Sequence, residues 1–369
     1  MISGWRRLPA LSAAAACTQA PDTQATGAPV QVEAGPVEVV AGVPGVAGRG
    51  LDGLAATETW LFMPQDVATS PDGRWWVVDF NNHLIREVGV DGLSHIVAGS
   101  GFPSGGDGGP ALEEPLDHPT GAILDPTDPD VLWFAAAGNH RIGHLQAATI
   151  AFPIGNGEAG FSGDGGPAAE ASFWRPSSVA FGADGTAFVS DRMNLLIRSV
   201  GTDGIVATVA GTPGVSGYTG DGGPADLATL NSAMDTESDP GGRIDVRGDR
   251  MVIADTGNHA IRELTLSTGV IETLAGPEHG FVEPHDVALA DDGTVYVADT
   301  GNHCIRAIAT DRSVGVVAGA CGESGDAVAS VPPTDARFAF PTGVAWSTDG
   351  HVWISDRDNH VIRRFAAPR

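Results

Sequence analysis

The sequence predicts an all-β protein, a six-bladed β-propeller with four-stranded blades whose last blade is closed by the N-terminal strand. Three observations carry this. One segment recurs six times in a shared frame, four of the copies are followed by a short apolar-Ala-Gly signature and a fifth by a degenerate form near Ile154-Gly155, and the signature missing after the last copy stands at the start of the chain, at Val39-Val40-Ala41-Gly42. The 51 Gly and 25 Pro fit short strands joined by tight turns rather than helices.

The chain begins with Arg6 and Arg7, a short apolar stretch from Leu8 to Ala16, and small residues directly before Cys17. That stretch is too short to span a bilayer. It resembles a bacterial lipoprotein signal, which implies export and lipid attachment at Cys17, with an ordinary secretory signal as the alternative. Residues 18–35 are rich in Ala, Thr, Gln, Pro and Gly and read as a flexible tether. The domain plan is therefore 1–17 signal, 18–35 linker and 36–369 propeller.

Each repeat runs Pro, an apolar strand, a Gly turn, a second apolar strand ending in Asp, then Asn-His and Ile-Arg. The copies start at Pro64, Pro119, Pro176, Pro240, Pro284 and Pro341, and the step from Pro to Asp is 15 residues in five of them. In the second copy, residues 125–130 lengthen the turn and the position falls on Ala136. Six copies in register, with a split last blade, are similar to the NHL-repeat β-propeller family, of a bacterial exported type. The resemblance covers roughly residues 36–369.

The Asp of each repeat and the Arg seven positions later read as a partly buried ion pair: Asp79/Arg86, Asp191/Arg198, Asp255/Arg262, Asp299/Arg306 and Asp356/Arg363. The second copy has lost both, with Ala136 and Gly143, as expected when removal of one charge strands the other. The Asn of the turn is expected in left-handed backbone, and the His beside it, replaced once by Leu195, is expected to pack against the turn. Three linkers carry Gly-Asp-Gly-Gly-Pro-Ala, from 106, 163 and 220. One Asp apiece suits turn chemistry better than a calcium site. Trp60, Trp174, Phe338 and Phe340 are expected to wedge between blades, and Trp75, Trp76, Trp133 and Trp353 to lie in the core. Cys304 opens a third strand and Cys321 follows the fourth strand of the same blade, ends that are neighbours in an antiparallel pair, so a Cys304–Cys321 disulfide is expected.

The net charge of −26 disfavours nucleic-acid binding. No nucleophile elbow, paired-carboxylate spacing, Cys-x-x-Cys or phosphate loop is present. The reading is an exported, monomeric binding or scaffolding propeller, lipid-anchored in the bacterial envelope or secreted. Its partner is a protein, glycan or small ligand, met on the face that carries the Gly-Asp-Gly-Gly linkers and Asn-His turns. Candidate ligand-binding residues are those that differ between blades or reach the channel mouth: Asp66, His83, His285 and Asp286. The alternative is a metal-dependent lyase or hydrolase. The segments Trp76–His83 and Pro284–Leu289 resemble zinc-His segments of the peptidylglycine amidating lyase propeller, which implies zinc on His83 and His285. The third His and the catalytic Tyr of that family have no match here. The candidate cofactors are zinc and calcium.

Overall fold

The computed structural model describes residues 35–232, 241–326 and 331–367. The signal-like segment with Cys17, most of the tether and Pro240 lie outside them. Six antiparallel sheets follow in chain order. The first blade is Asp66–Thr69, Trp75–Asp79, Leu84–Val88 and Leu93–Ala98, from the channel outward. The inner strands of the next four blades are Pro119–Leu124, Ser178–Phe181, Ile244–Arg247 and Pro284–Leu289. The sixth blade, Pro341–Trp346, His351–Asp356 and Val361–Ala366, takes Glu38–Ala41 as its outer strand, antiparallel to Val361–Ala366. The ring is thus closed by pairing residues from the two ends of the propeller. Among the described residues no helix is long and apolar enough to cross a membrane.

Alternation of side chains along each strand puts apolar residues on both faces of every blade, because each blade is covered on both sides by its neighbours. The result is one apolar cluster per seam. Between the first two blades, for example, Trp76, Ile85 and Ala98 meet Leu116, Phe134 and Ile150, each 3% exposed or less. The wedge residue is Leu61, Leu116, Phe173, Leu230, Phe281 and Phe338 in turn, all buried. This corrects the expectation for Trp60 and Trp174, which are 50% and 40% exposed because the position before or after the wedge faces solvent.

The Ala-Gly signature has a backbone cause. Gly99 has φ +96°, and a Cβ there would collide with the carbonyl of His83 in the adjacent turn. Gly42, Gly211 and Gly319 stand in the same relation to His360, Leu195 and His303.

Three blades carry an unanticipated fifth strand of two residues. Leu54–Ala55, Gly109–Pro110 and Gly223–Pro224, each from the linker leading into a blade, lie along the outer strand of that same blade. The linkers are therefore straps across the blade rims. Cys304 and Cys321 are joined in a disulfide with Cα atoms 5.1 Å apart.

Candidate functional site

The repeated polar residues form a clamp in five of the six blades. Asp79 Oδ2 accepts from Arg86 Nε at 2.8 Å and from Asn82 Nδ2 at 2.8 Å, with both charged side chains fully buried. Asp79 Oδ1 accepts from the Phe62 amide, and Asn82 also donates to the Gly48 carbonyl of the strap. Asp191, Asp255, Asp299 and Asp356 repeat the amide and Asn bonds; Asp356 also takes Arg363 Nε, whereas on the other three the Arg stands at 3.4–3.6 Å through Nη1. Burial pushes these carboxyls up, to about 7 for Asp191 and about 6 for Asp255 and Asp356, against the pull of the amide donors and the Arg. The linker Asp residues join the clamp rather than capping their own turn. Asp164 takes Arg198 Nη2 at 2.6 Å, Asp221 takes Arg262 Nη2 at 2.7 Å, and Asp326 takes Arg363. The second blade, which lacks the repeat Asp and Arg, moves the cation two positions earlier: Arg141 reaches Asp107 at 2.9 Å and lies over Phe152.

Left-handed backbone falls on the residue after the Asn, not on the Asn, which corrects the sequence expectation. His83, His140, Leu195, His259, His303 and His360 have φ between 54° and 61°. The Asn is held in the preceding turn because its side chain must reach the Asp and the strap together. Each His ring then ties one blade to the next. Its Nδ1 accepts the amide of Met63, His118, Arg175, Glu283 or Phe340, at 3.0–3.3 Å. An acceptor Nδ1 requires a neutral ring. Burial holds His83, His140, His303 and His360 below the usual imidazole value. The folded chain therefore binds fewer protons at these rings than the unfolded chain. Their contribution is present above the unfolded value near 6.5 and is lost as pH falls through it toward the lower folded values. A His303→Leu variant, which copies the natural Leu195, is expected to lose about 1 kcal/mol against wild type at pH 8. Urea unfolding at pH 8 and pH 5 should show that difference shrink at the lower pH, since both proteins share the same buried carboxyls.

The central channel is asymmetric. At the strap-side ends of the inner strands, Gln65, Thr120, Ser177 and Thr342 are fully buried, and Arg243 and His285 are 1% and 2% exposed. At the opposite ends Thr69, Leu124, Phe181 and Trp346 are half-buried and Arg247 is exposed, with Leu289 the buried one. Arg243 makes the plug. From the fourth blade it crosses to the Gln65 carbonyl at 3.0 Å, the Thr120 carbonyl at 2.9 Å, Asp286 Oδ2 at 3.2 Å and Asp66 Oδ1 at 3.5 Å. A cation on the channel axis thereby holds the first, second and fifth blades.

Asp66, Asp245 and Asp286 share a second pattern. Each carboxylate accepts from its own next amide and from an inner-strand amide of the following blade, at Ala122, Leu289 and Val344. Burial raises all three, Asp66 to about 7 and Asp245 to about 6. Beyond the plug lies a cavity of about 230 Å³ reached by all six inner strands, with Asp66 and Asp286 on Arg243, Asp245 farther along its strand, and Arg247 and Trp346 at the outer end. Asp66 and Asp286 thus come together, on Arg243. Neither Arg243, Asp245 nor the cavity is foreseen from the sequence.

His83 and His285 occupy different places. His285 stands at the foot of its inner strand, its carbonyl accepting from the Arg243 amide. His83 lies with Asp117 and His118, the one set of three metal-type side chains with ligand atoms within 4.8 Å among the described residues. His118 Nδ1 is 2.5 Å from Asp117 Oδ1, and the His83 and His118 rings meet edge to face. A zinc on His83 and His285 does not fit this arrangement: His285 is outside the set, and the His83 Nδ1 bond to an amide puts the ring proton on Nε2, the atom a metal would need.

Residues 281–308 and 338–365 match the NHL repeat family. Teneurin-m of Drosophila melanogaster is 27% identical over 346 residues, 84% of this chain and 12% of that protein. NHL repeat-containing protein 2 of Bos taurus is 26% identical over 250 residues, 61% of this chain and 34% of that protein. The chain thus spans a minor part of both relatives. Among solved structures, an auxiliary nutrient binding protein from Bacteroides ovatus superposes with a TM-score of 0.61 at 14% identity, covering 91% of this chain and 77% of that one. That likeness is one of fold.

Proposed function

We propose that this chain, an NHL-repeat β-propeller, is a binding module that takes a small, hydrogen-bond-donating solute in its central cavity. One observation carries the reading: Arg243 closes the channel at the strap side and leaves a blind cavity lined by both apolar side chains and convergent polar groups. Such a combination is what small-ligand sites share. The straps and the Asn-His turns, by contrast, are engaged in holding the blades. Three acidic side chains against two guanidiniums, on a chain of net charge −26, favour a solute that donates rather than accepts. The nutrient-binding role of the Bacteroides ovatus protein supports a binding reading only as an analogy of fold.

The test is a thermal-shift screen of amines, amino acids and polyols against the wild-type chain, repeated on hits with Asp245→Asn. The reading expects at least one stabilising solute, with stabilisation reduced in the variant. No hit, or hits indifferent to Asp245→Asn, would remove the cavity from consideration.

A second reading, metal-dependent chemistry, would have to use Asp117 and His118 without His83, whose Nε2 carries the ring proton. Zinc titration of the wild type and of His118→Ala tests it, stoichiometric binding lost in the variant being the supporting result. Export and lipidation at Cys17 belong to the proposal as well, and mass spectrometry of the mature chain checks them.

A further inference from the structure

The straps follow a rule in the first four blades that the fifth breaks. In the first four blades the linker leading into the blade covers its outer strand. Leu54–Ala55, Gly109–Pro110 and Gly223–Pro224 pair with it, and in the third blade Pro167 bridges Ile205 while Gly165 and Gly166 exchange hydrogen bonds with Val206. One residue near the start of each covered strand is sealed: Ser94, Ile150, Val206 and Ile271 are exposed by 2% or less. The strap also brings a carboxylate. Asp164 is the fullest case, with Oδ1 on Arg198 Nε and Nη2 and Oδ2 on the Thr208 amide and hydroxyl. Asp52 takes the equivalent amide of Ile96 in the first blade.

Among the described residues the fifth blade has no strap. Its linker, 276–283, lacks the Gly-Asp-Gly-Gly segment and holds only the short turn Pro277–His279. Its outer strand, Val314–Ala318, is consequently open: Val314 is half-buried, Gly315 is exposed with nothing within 4 Å of where a Cβ would stand, and Val316 is 39% exposed. The strand carries no charge and no Pro, the usual guards of an open edge. Its Arg is also the most open of the five. Arg306 is 15% exposed where Arg86, Arg198, Arg262 and Arg363 are fully buried. It lies over Phe281, donates to the His279 carbonyl, and faces no second carboxylate among the described residues.

We propose that the outer edge of the fifth blade is a docking site for an extended, Asp-bearing segment of another protein, which supplies the missing strap. Its backbone adds a strand to Val314–Val317 and its carboxylate bridges Arg306 and the Val316 amide, as Asp164 bridges Arg198 and the Thr208 amide. Strand addition provides the affinity and the cation–carboxylate contact the register. The partner is acidic at one point and otherwise small-residue and apolar, which fits an open lane with no side chain over Gly315.

The test uses the whole chain and a synthetic peptide of the protein's own strap, residues 160–169, labelled for fluorescence anisotropy. Saturable binding is expected. Changing the peptide residue equivalent to Asp164 to Asn should weaken it about tenfold, the loss of one charge-assisted contact. Val316→Pro removes the outward amide from an edge strand without touching the inner ladder, and should abolish binding while the protein stays folded by circular dichroism. Arg306→Lys should weaken binding and steepen its salt dependence. Absence of saturable binding, or binding indifferent to both the peptide Asn and Val316→Pro, overturns the proposal. A dimer in light scattering that Val316→Pro dissolves also overturns it, by making a second copy of this chain the occupant.

Discussion

Arg243→Met lowers the stability of the protein by about 3–5 kcal/mol, the range for breaking a buried ion pair by removing one partner. The side chain is 1% exposed, so water cannot take over its role. Its loss strands Asp66, Asp286 and two backbone carbonyls in the channel floor. The pH dependence of the loss follows from its cause. Arg243 pulls both carboxyls down against burial, which already raises Asp66 to about 7. Without the guanidinium their folded values rise further, so the folded variant takes up protons as pH falls. A group raised in the folded state contributes most below its unfolded value and loses that contribution as pH rises through the folded one. The destabilisation is therefore largest at pH 8 and smaller near pH 5. Urea unfolding of both proteins at the two pH values measures it. An equal loss at both would mean that Arg243 acts by packing alone.

The second large effect is in the clamps. Asp79→Ala and Arg86→Met each remove one side of a fully buried pair 2.8 Å apart, and each is expected to cost about 3–5 kcal/mol. The double variant is expected to cost less than the sum of the two, by up to about 3 kcal/mol, since neither charge is then left alone. The second blade supports this expectation. It has Ala136 and Gly143 at the two positions and still forms a complete sheet, with Arg141 and Asp107 serving the strap from other positions. Strict additivity in the cycle would show that Asp79 and Arg86 act independently, Asp79 through its amide donors and Arg86 through the Gly50 carbonyl.

What can be read from the sequence is what repeats. The Pro-to-Asp spacing, the Ala-Gly signature and its displaced N-terminal copy determine the blades and the closing strand. The clamp pair is visible as well, because its members are seven residues apart in every blade that has them. The misreadings share a cause. The Asn and the strap Asp each suggest a local task in their own turn, whereas each also has a partner in a distant segment, as for Asn194 with Gly160 and Asp164 with Arg198, each 34 residues apart. Arg243 is illegible for a different reason. Its counterparts in the strand register are Asp66, Ser178, Asp286 and Gly343, so no period announces it, and only the closed ring shows that one long side chain can span the channel. Asp66 and Asp286 stand out in the sequence because they differ between blades. The structure gives that difference a structural cause in Arg243, which needs carboxylates on some blades and carbonyls on others.

A blind cavity requires a channel that is shut at the strap side and open at the other, and cysteine accessibility measures this directly. Thr69 stands at the open end and Thr342 at the plugged end, half-buried and fully buried respectively. Thr69→Cys and Thr342→Cys are each treated with a small thiol reagent and read against the wild-type background. Rapid labelling at position 69, with position 342 protected until the protein is unfolded, is the predicted result. Labelling at 342 as fast as at 69 would mean that the channel is open at the strap side, and the blind cavity, with the binding function assigned to it, would be wrong.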